Sequence, residues 1–287
     1  MQRFADAVCA IQQLYRQTPY EQHIAPVARI FAQSLACEAA LTGTETVLDI
    51  GTGTGVLARE LAGSARRVIG VDISPALLRT AHTAALSEGI RNVSFILADA
   101  HTLACLPDAC CDVALTSFGL GETDPARSLH AVARVLRPGG RFYVQEWGPY
   151  DHENDLRLLL DETLAEYLAP DVDEDHLQFR HLLATSLPWS GQIQDVEDYV
   201  EALSEAGFTA VQAAEVRPVT VTFASGDAFL AYMLAWAWRA QEIAAMSPAA
   251  REAFRIQVMQ RLAPLRDSAG QLHLTPRLFR ASAVRKH

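Results

Sequence analysis

Apolar residues in the first half of the chain fall into short runs separated by stretches with helical spacing. Thr46-Val47-Leu48-Asp49-Ile50 reads as a buried strand, and Arg67–Val71, Asn92–Leu97, Cys111–Thr116 and Arg141–Glu146 repeat the pattern. A helix is predicted from near Thr54 to Leu61. A second starts at Ser74-Pro75, with serine as cap and proline at the first helical position, and stops at Gly89. Asp124-Pro125 repeats the capping device, and Leu129, Val132, Ala133 and Leu136 then line one helical face before Pro138-Gly139-Gly140 imposes a stop. Strand and helix alternate throughout, which predicts an α/β fold with a mainly parallel, doubly wound sheet.

The rhythm changes after residue 147. Residues 151–168 carry Leu156, Leu159, Leu160, Leu164 and Tyr167 at helical spacing. Asp195 caps a helix ending at Gly207. Phe208–Val216 and Val219–Phe223 read as extended, as one strand bent at Pro218. Residues 227–245 and 249–262 read as helices, Leu278–Val284 as a last strand, and residues 1–40 as helices broken at Thr18-Pro19. No internal repeat and no low-complexity segment interrupts this order.

The chain has 287 residues, half of them hydrophobic, and a net charge of −10. That composition supports a sizeable core and favours one elaborated domain. The acidic balance argues against a non-specific nucleic-acid binder, which needs a basic face. Five cysteines without a CxxC pair suit a reducing cytosol, so a cytoplasmic location is expected. No signal peptide is evident, and no apolar run reaches the ~18 residues of a membrane span. The acidic run Asp171-Val172-Asp173-Glu174-Asp175 reads as a solvated loop. A calcium loop starting there would need glycine and glutamate where His176 and Leu182 stand. No cysteine–histidine set has zinc spacing, and no metal site is expected.

The chemistry concentrates at Asp49-Ile50-Gly51-Thr52-Gly53-Thr54-Gly55, where a strand feeds a glycine-rich turn and then a helix. Free backbone N–H groups at such a turn favour an anionic ligand group, and glycine allows close approach. A dinucleotide fingerprint reads GxGxxG, but Val56 occupies the third glycine position here. Asp49 lies beside the turn, where a carboxylate would repel a pyrophosphate and attract an ammonium group. Asp72 ends the second strand, placed to bind ribose hydroxyls. Asp99 follows the third strand, placed for an adenine amino group, and Ile73 is placed to cover the base. The ligand that meets all these requirements is S-adenosylmethionine.

At these residues the chain resembles a family. VLDIGTGTG, VIGVDIS, FILADA, CDVALTSFGLGE and VLRPGGRFYVQE, in that order, look like the successive signatures of class I S-adenosylmethionine-dependent methyltransferases. The resemblance is strong over residues 41–147, weaker over 194–224 and 270–285, and absent over 1–35, 151–190 and 226–268. It implies a seven-stranded Rossmann-like sheet with helical lid insertions. The implied organisation is an N-terminal helical lid at 1–40, a cofactor-binding core at 41–150 and a helical insertion at 151–193. The last core helix and sixth strand follow at 194–224, a second insertion at 225–268 and the final strand at 269–287. It also implies that Gly51, Thr52 and Gly53 pass the methionine end, Asp49 faces its ammonium group, and Asp72 holds the ribose. Asp99 and Ala100 hold the adenine, and Ser117 lies by the sulfur.

Methyl transfer from a sulfonium needs alignment and exclusion of water more than activation, with a base only where the acceptor must lose a proton. The fourth-strand turn, Thr116-Ser117-Phe118-Gly119-Leu120-Gly121, lacks the Pro-Pro-aromatic motif common in methyltransferases of nucleic-acid amino groups. A small, apolar or aromatic acceptor is therefore expected, and no nucleic-acid partner; the sequence is compatible with a homodimer without specifying one. Glu146 and His152, at the end of the fifth strand, are candidate bases by position, with hydrogen-bonding and solvated-loop roles as the alternatives. His23, His176 and His181 are more distant candidates, and Tyr15 and Tyr20 are candidates to close over the methionine end. Phe229, Leu230, Tyr232, Met233 and Trp236 either pack against the sheet or line the acceptor site. Three rival functions stay open: a cofactor-binding member of the fold with non-methylating chemistry, a protein or RNA methyltransferase, and a nicotinamide dehydrogenase.

Overall fold

The computed structural model describes residues 19–121, 123–149, 155–169, 172, 174, 176–177, 180 and 192–286. Nine strands are described: β1 Thr46–Ile50, β2 Arg67–Asp72, β3 Val93–Leu97, β4 Cys111–Ser117, β5 Leu136–Trp147, β6 Phe208–Val216, β7 Val221–Phe223, β8 Leu272–Leu274 and β9 Leu278–Arg285. Seven of them form one sheet in the order β3-β2-β1-β4-β5-β9-β6. β1 runs parallel to both β2 and β4, with Leu48 opposite Ile69 on one side and Ala114 on the other. Only β9 is reversed, lying antiparallel to β5 and β6.

β1 is buried along its whole length, which is why it reads as a continuous apolar run rather than an alternating one. From β1 the chain steps outward to β2 and β3, then returns to place β4 on the opposite side. The crevice at this reversal, above the carboxyl ends of β1 and β4, is where ligands bind in open α/β sheets. Two helices feeding the sheet begin as the sequence predicts. Ser74 accepts the Leu77 N–H ahead of Pro75, and Asp124 accepts the Arg127 N–H ahead of Pro125. Leu129, Val132 and Leu136 are buried with Leu48, Ile50, Phe142 and Val144 in the core of this sheet. Burying each such side chain contributes roughly 1.5–3 kcal/mol.

Where composition favoured one elaborated domain, the chain divides into two compact units. One comprises Ala28–Gly148, Leu187–Val216 and Leu278–His287 and holds the seven-stranded sheet; the other comprises Met1–Val27, Pro149–Ser186 and Arg217–Arg277.

Several elements differ from expectation. Phe208–Val216 and Val221–Phe223 are not one bent strand. β6 joins the large sheet, whereas β7 pairs with β8, Leu272–Leu274, in a separate two-stranded sheet. The expected helix over 227–245 is two, Gly226–Leu234 and Ala237–Ala245, with Trp236 extended between them. Pro138-Gly139-Gly140 does not stop the chain before β5. Leu136 already pairs with Cys111, and the pairing resumes at Arg141 opposite Val113 after an irregularity in which Gly139 takes φ 76°.

The second unit has its own interior. Phe229 and Tyr232 pack on Phe223 of β7, with ring centroids 5.4 Å apart in each pair, so this apolar helix covers the small sheet. Arg239 grips Asp161 with two hydrogen bonds of 2.8 Å, and Arg180 grips Glu242 at 2.8 and 2.7 Å. Burial pushes the Tyr232 phenol up to about 12. Among the described residues no helix is long and apolar enough to cross a membrane.

Candidate functional site

The glycine turn after β1 is fixed from three directions. Thr52 donates its N–H to the Val71 carbonyl at 2.9 Å, which ties the turn to β2. The Thr52 hydroxyl donates to Asp49 Oδ2 at 2.6 Å beneath the turn. Gly51 lies against Gly119 of the loop after β4; a Cβ at Gly51 would come within 2.5 Å of the Gly119 Cα. The two loops therefore meet glycine on glycine. Gly53 differs: its φ of 54° also favours glycine, but a Cβ there would meet nothing within 4 Å. Gly51 is thus a packing requirement, while Gly53 presents backbone to open space where a ligand can pass.

Two carboxylates flank this turn. Asp49 is 1% exposed, and burial pushes its carboxyl up to about 7; the Thr52 hydroxyl pulls against that rise and the charge of Asp72 adds to it. Asp72 Oδ2 accepts the Gly53 N–H at 2.9 Å and Oδ1 accepts the Ser74 N–H at 2.8 Å. Burial raises its pKa as well, and those backbone bonds oppose the rise. A carboxylate offers about four acceptor positions, so Asp72 keeps capacity for two ligand hydroxyls. The backbone donor that a pyrophosphate would need, Gly53 N–H, is already held by a carboxylate. This argues against a dinucleotide and fits a ligand with an ammonium group and a diol.

Ile73 is 43% exposed beside Asp72. The Asp72 carbonyl accepts the N–H of Ala98, which brings the end of β3 alongside it at 3.0 Å. Asp99 and Ala100 follow and are part-buried. Asp99 Oδ1 accepts both the N–H and the ring Nδ1–H of His101, at 2.9 and 2.8 Å, and His101 Nε2 accepts the Asp124 N–H at 3.0 Å. That partner set assigns the Nδ1–H tautomer. His101 thus joins the loop after β3 to the cap of the helix after β4, a role the sequence reading missed. No spacing signal marked it, because its partners lie on two different loops.

On the other side of the crevice, Ser117 closes β4 and accepts a hydrogen bond from Gln145 Nε2 at 2.6 Å. Phe118 follows with φ 59°, a strained conformation for a bulky residue. Its ring stacks on Trp147 at 4.3 Å, and Phe31 meets both rings edge-on at 5.5 and 5.7 Å. Glu146 is buried, and its Oε1 accepts the Leu120 N–H at 3.0 Å, so it holds the loop after β4. Asp49, Gly51, Thr52, Gly53, Asp72, Ile73, Asp99, Ala100, Ser117 and Glu146 all belong to the unit with the seven-stranded sheet. His152, Tyr15 and His181 lie outside the described residues. His176 belongs to the other unit and pairs with Glu242 at 3.1 Å. Among the described residues no cluster of three metal-ligating side chains occurs.

Residues 47–140 match a family model described as a methyltransferase domain. The chain is 33% identical over 146 residues to the ubiquinone/menaquinone biosynthesis C-methyltransferase UbiE of Marinomonas sp. (strain MWYL1), covering 49% of this chain and 56% of that protein. It is 40% identical over 105 residues to UbiE of Acidiphilium cryptum (strain JF-5), covering 36% and 42%. The chain therefore spans about half the length of the relatives it matches. Among solved structures, YcgJ of Bacillus subtilis superposes with a TM-score of 0.55 at 19% identity, covering 90% of this chain and 99% of that one. The [4+2]-cyclase SpnF superposes with a TM-score of 0.56 at 20% identity, covering 90% and 80%. At such identities the two structures show the fold alone. Sheet order, glycine turn, paired carboxylates and sequence match converge on a Rossmann-like sheet whose residues 47–140 are similar to the methyltransferase domain.

Proposed function

We propose that the protein transfers a methyl group from S-adenosylmethionine to a small, apolar or aromatic metabolite. The observation that carries the cofactor assignment is the Asp72 carboxylate on the Gly53 N–H, beside the buried carboxylate of Asp49. In this reading Asp49 and the glycine turn hold the amino-acid end, Asp72 the ribose diol, and Asp99, Ala100 and Ile73 the adenine. When bound, the cofactor supplies an electrophilic methyl whose C–S bond breaks as the bond to the acceptor forms, leaving S-adenosylhomocysteine. The chain's part is to orient the two partners in line and exclude water. Where the acceptor is a hydroxyl, a base must take its proton, and Glu146 and His152 are the candidates by position.

An apolar or aromatic acceptor is supported by the three-ring wall of Phe31, Phe118 and Trp147 beside Ser117. The net charge of −10 supports a small molecule over nucleic acid. A reducing, cytoplasmic setting fits the cysteine usage.

Incubation with S-[methyl-³H]adenosylmethionine and a panel of quinols, phenols and amines tests the reading. Label is expected in at least one small acceptor and not in RNA or protein. Tight cofactor binding with no transfer to any acceptor would favour non-methylating chemistry instead. Absence of cofactor binding would remove the assignment altogether.

A further inference from the structure

Three residues far apart in sequence stand side by side across the sheet. Ser117 on β4 is in register with Gln145 on β5, and Gln145 with Arg280 on β9. Cross-strand partners in register share a face, so their side chains form one polar row. The helix Ala25–Ala39 covers that row with Phe31, Ser34 and Glu38, three or four residues apart and hence on one helical side. All belong to the same compact unit.

The hydrogen bonds along the row leave no choice of polarity. Arg280 has only donors. Its Nε and one terminal nitrogen donate to Gln145 Oε1 at 3.1 and 2.8 Å. The remaining contacts go to Glu38 at 2.9 Å and Ser34 at 3.0 Å. Gln145, fully buried, must therefore present its oxygen to Arg280 and its NH₂ to the other side. That NH₂ donates to the Phe31 carbonyl at 3.3 Å and to Ser117 Oγ at 2.6 Å. Both protons and both oxygen positions of the amide are used. Ser117 Oγ is thereby an acceptor toward Gln145, and its own proton is left for a partner other than Gln145.

We infer that Gln145 and Arg280 are positioning residues that lock the Ser117 hydroxyl as a hydrogen-bond donor to the carboxylate of the cofactor's methionine end. This rests on the cofactor assignment above and adds to it a mechanism by which a carboxylate is recognised between two acidic residues. Asp49 and Asp72 would repel that group, so a neutral donor of fixed polarity on the opposite side of the crevice offsets the repulsion. A serine free to rotate would instead satisfy itself by donating to the nearest acceptor.

The test uses calorimetry with two probes, S-adenosylhomocysteine and 5′-methylthioadenosine, which lacks the amino-acid end. Gln145→Glu keeps the size and the Arg280 contact but offers Ser117 only acceptors, so the hydroxyl turns inward. Affinity for S-adenosylhomocysteine is expected to fall by about tenfold or more, the scale of one bond to a charged group. Affinity for 5′-methylthioadenosine should be unchanged. Ser117→Ala should show the same selective loss, and the double variant should lose no more than either alone. Ser117→Ala also carries the test if Gln145→Glu does not fold. Unchanged binding of S-adenosylhomocysteine in Ser117→Ala would overturn the inference, and so would equal losses for both probes. If the wild-type protein binds neither probe, the cofactor assignment itself fails, which is a different result.

Discussion

The buried carboxylate of Asp49 accepts the Thr52 hydroxyl at 2.6 Å while the charge of nearby Asp72 adds to its reluctance to ionise. Its pKa of about 7 means that the unliganded site is part-protonated at neutral pH. An ammonium group docking there favours the ionised form. Binding of S-adenosylhomocysteine near pH 6.5 should therefore release a proton, and affinity should rise with pH until it levels off above about 8. Calorimetry in buffers of different ionisation enthalpy reads the proton directly. A binding heat independent of buffer at pH 6.5 would contradict the placement of Asp49.

The same carboxylate costs stability. A raised folded pKa means that between pH 4 and 7 the unfolded chain loses this proton before the folded one does. Stability therefore falls as pH rises through that window, and the full penalty is present above about 7. Asp49→Asn removes the penalty, on the order of 4 kcal/mol. The variant should melt higher than the wild type at pH 8, with the gap closing toward pH 4, while binding S-adenosylhomocysteine much more weakly. Equal melting temperatures at pH 8 would show that the burial cost is met elsewhere.

β1, β2 and β4 were legible because strands buried along nearly their whole length read as apolar runs. The positions of Asp49 and Asp72 near the carboxyl ends of β1 and β2 were legible because each comes late in an apolar run ahead of a turn. The small sheet was not, since β7 and β8 are three residues each and gain their meaning only from pairing across 48 intervening residues. Gln145 and Arg280 were invisible for a related reason: register across three strands brings Ser117, Gln145 and Arg280 together, and no local pattern encodes register between distant strands. The strand-like path through Pro138-Gly139-Gly140 was hidden by residues whose local preference is for turns.

Two glycines of one motif should respond in opposite ways. Alanine at position 51 would press a methyl against the Gly119 backbone, which cannot yield without moving the loop after β4. Gly51→Ala should lower the thermal midpoint sharply or prevent folding. Alanine at position 53 meets open space and costs only the left-handed backbone, about 1–2 kcal/mol. Gly53→Ala should remain folded yet bind S-adenosylhomocysteine at least about tenfold more weakly, because the methyl enters the space assigned to the ligand. A Gly53→Ala variant with unaltered affinity would mean that the ligand passes elsewhere.

Glu146 separates anchoring from proton transfer. Its Oε1 accepts the Leu120 N–H at 3.0 Å in a buried setting, so it holds the loop whose Gly119 abuts Gly51. Glu146→Gln keeps an oxygen for that N–H; Glu146→Ala leaves a buried donor unpaired, at a cost of roughly 1–3 kcal/mol. If anchoring is the main duty, the glutamine variant keeps cofactor affinity and turnover within about tenfold of wild type, and only the alanine variant loses both. A base would behave differently: the glutamine variant would bind the cofactor normally but lose on the order of 10²–10⁴ in turnover, together with the acidic limb of the pH profile. The buried hydrogen bond already formed makes the first outcome the expected one, and kcat measured for both variants across pH 5–9 decides between them.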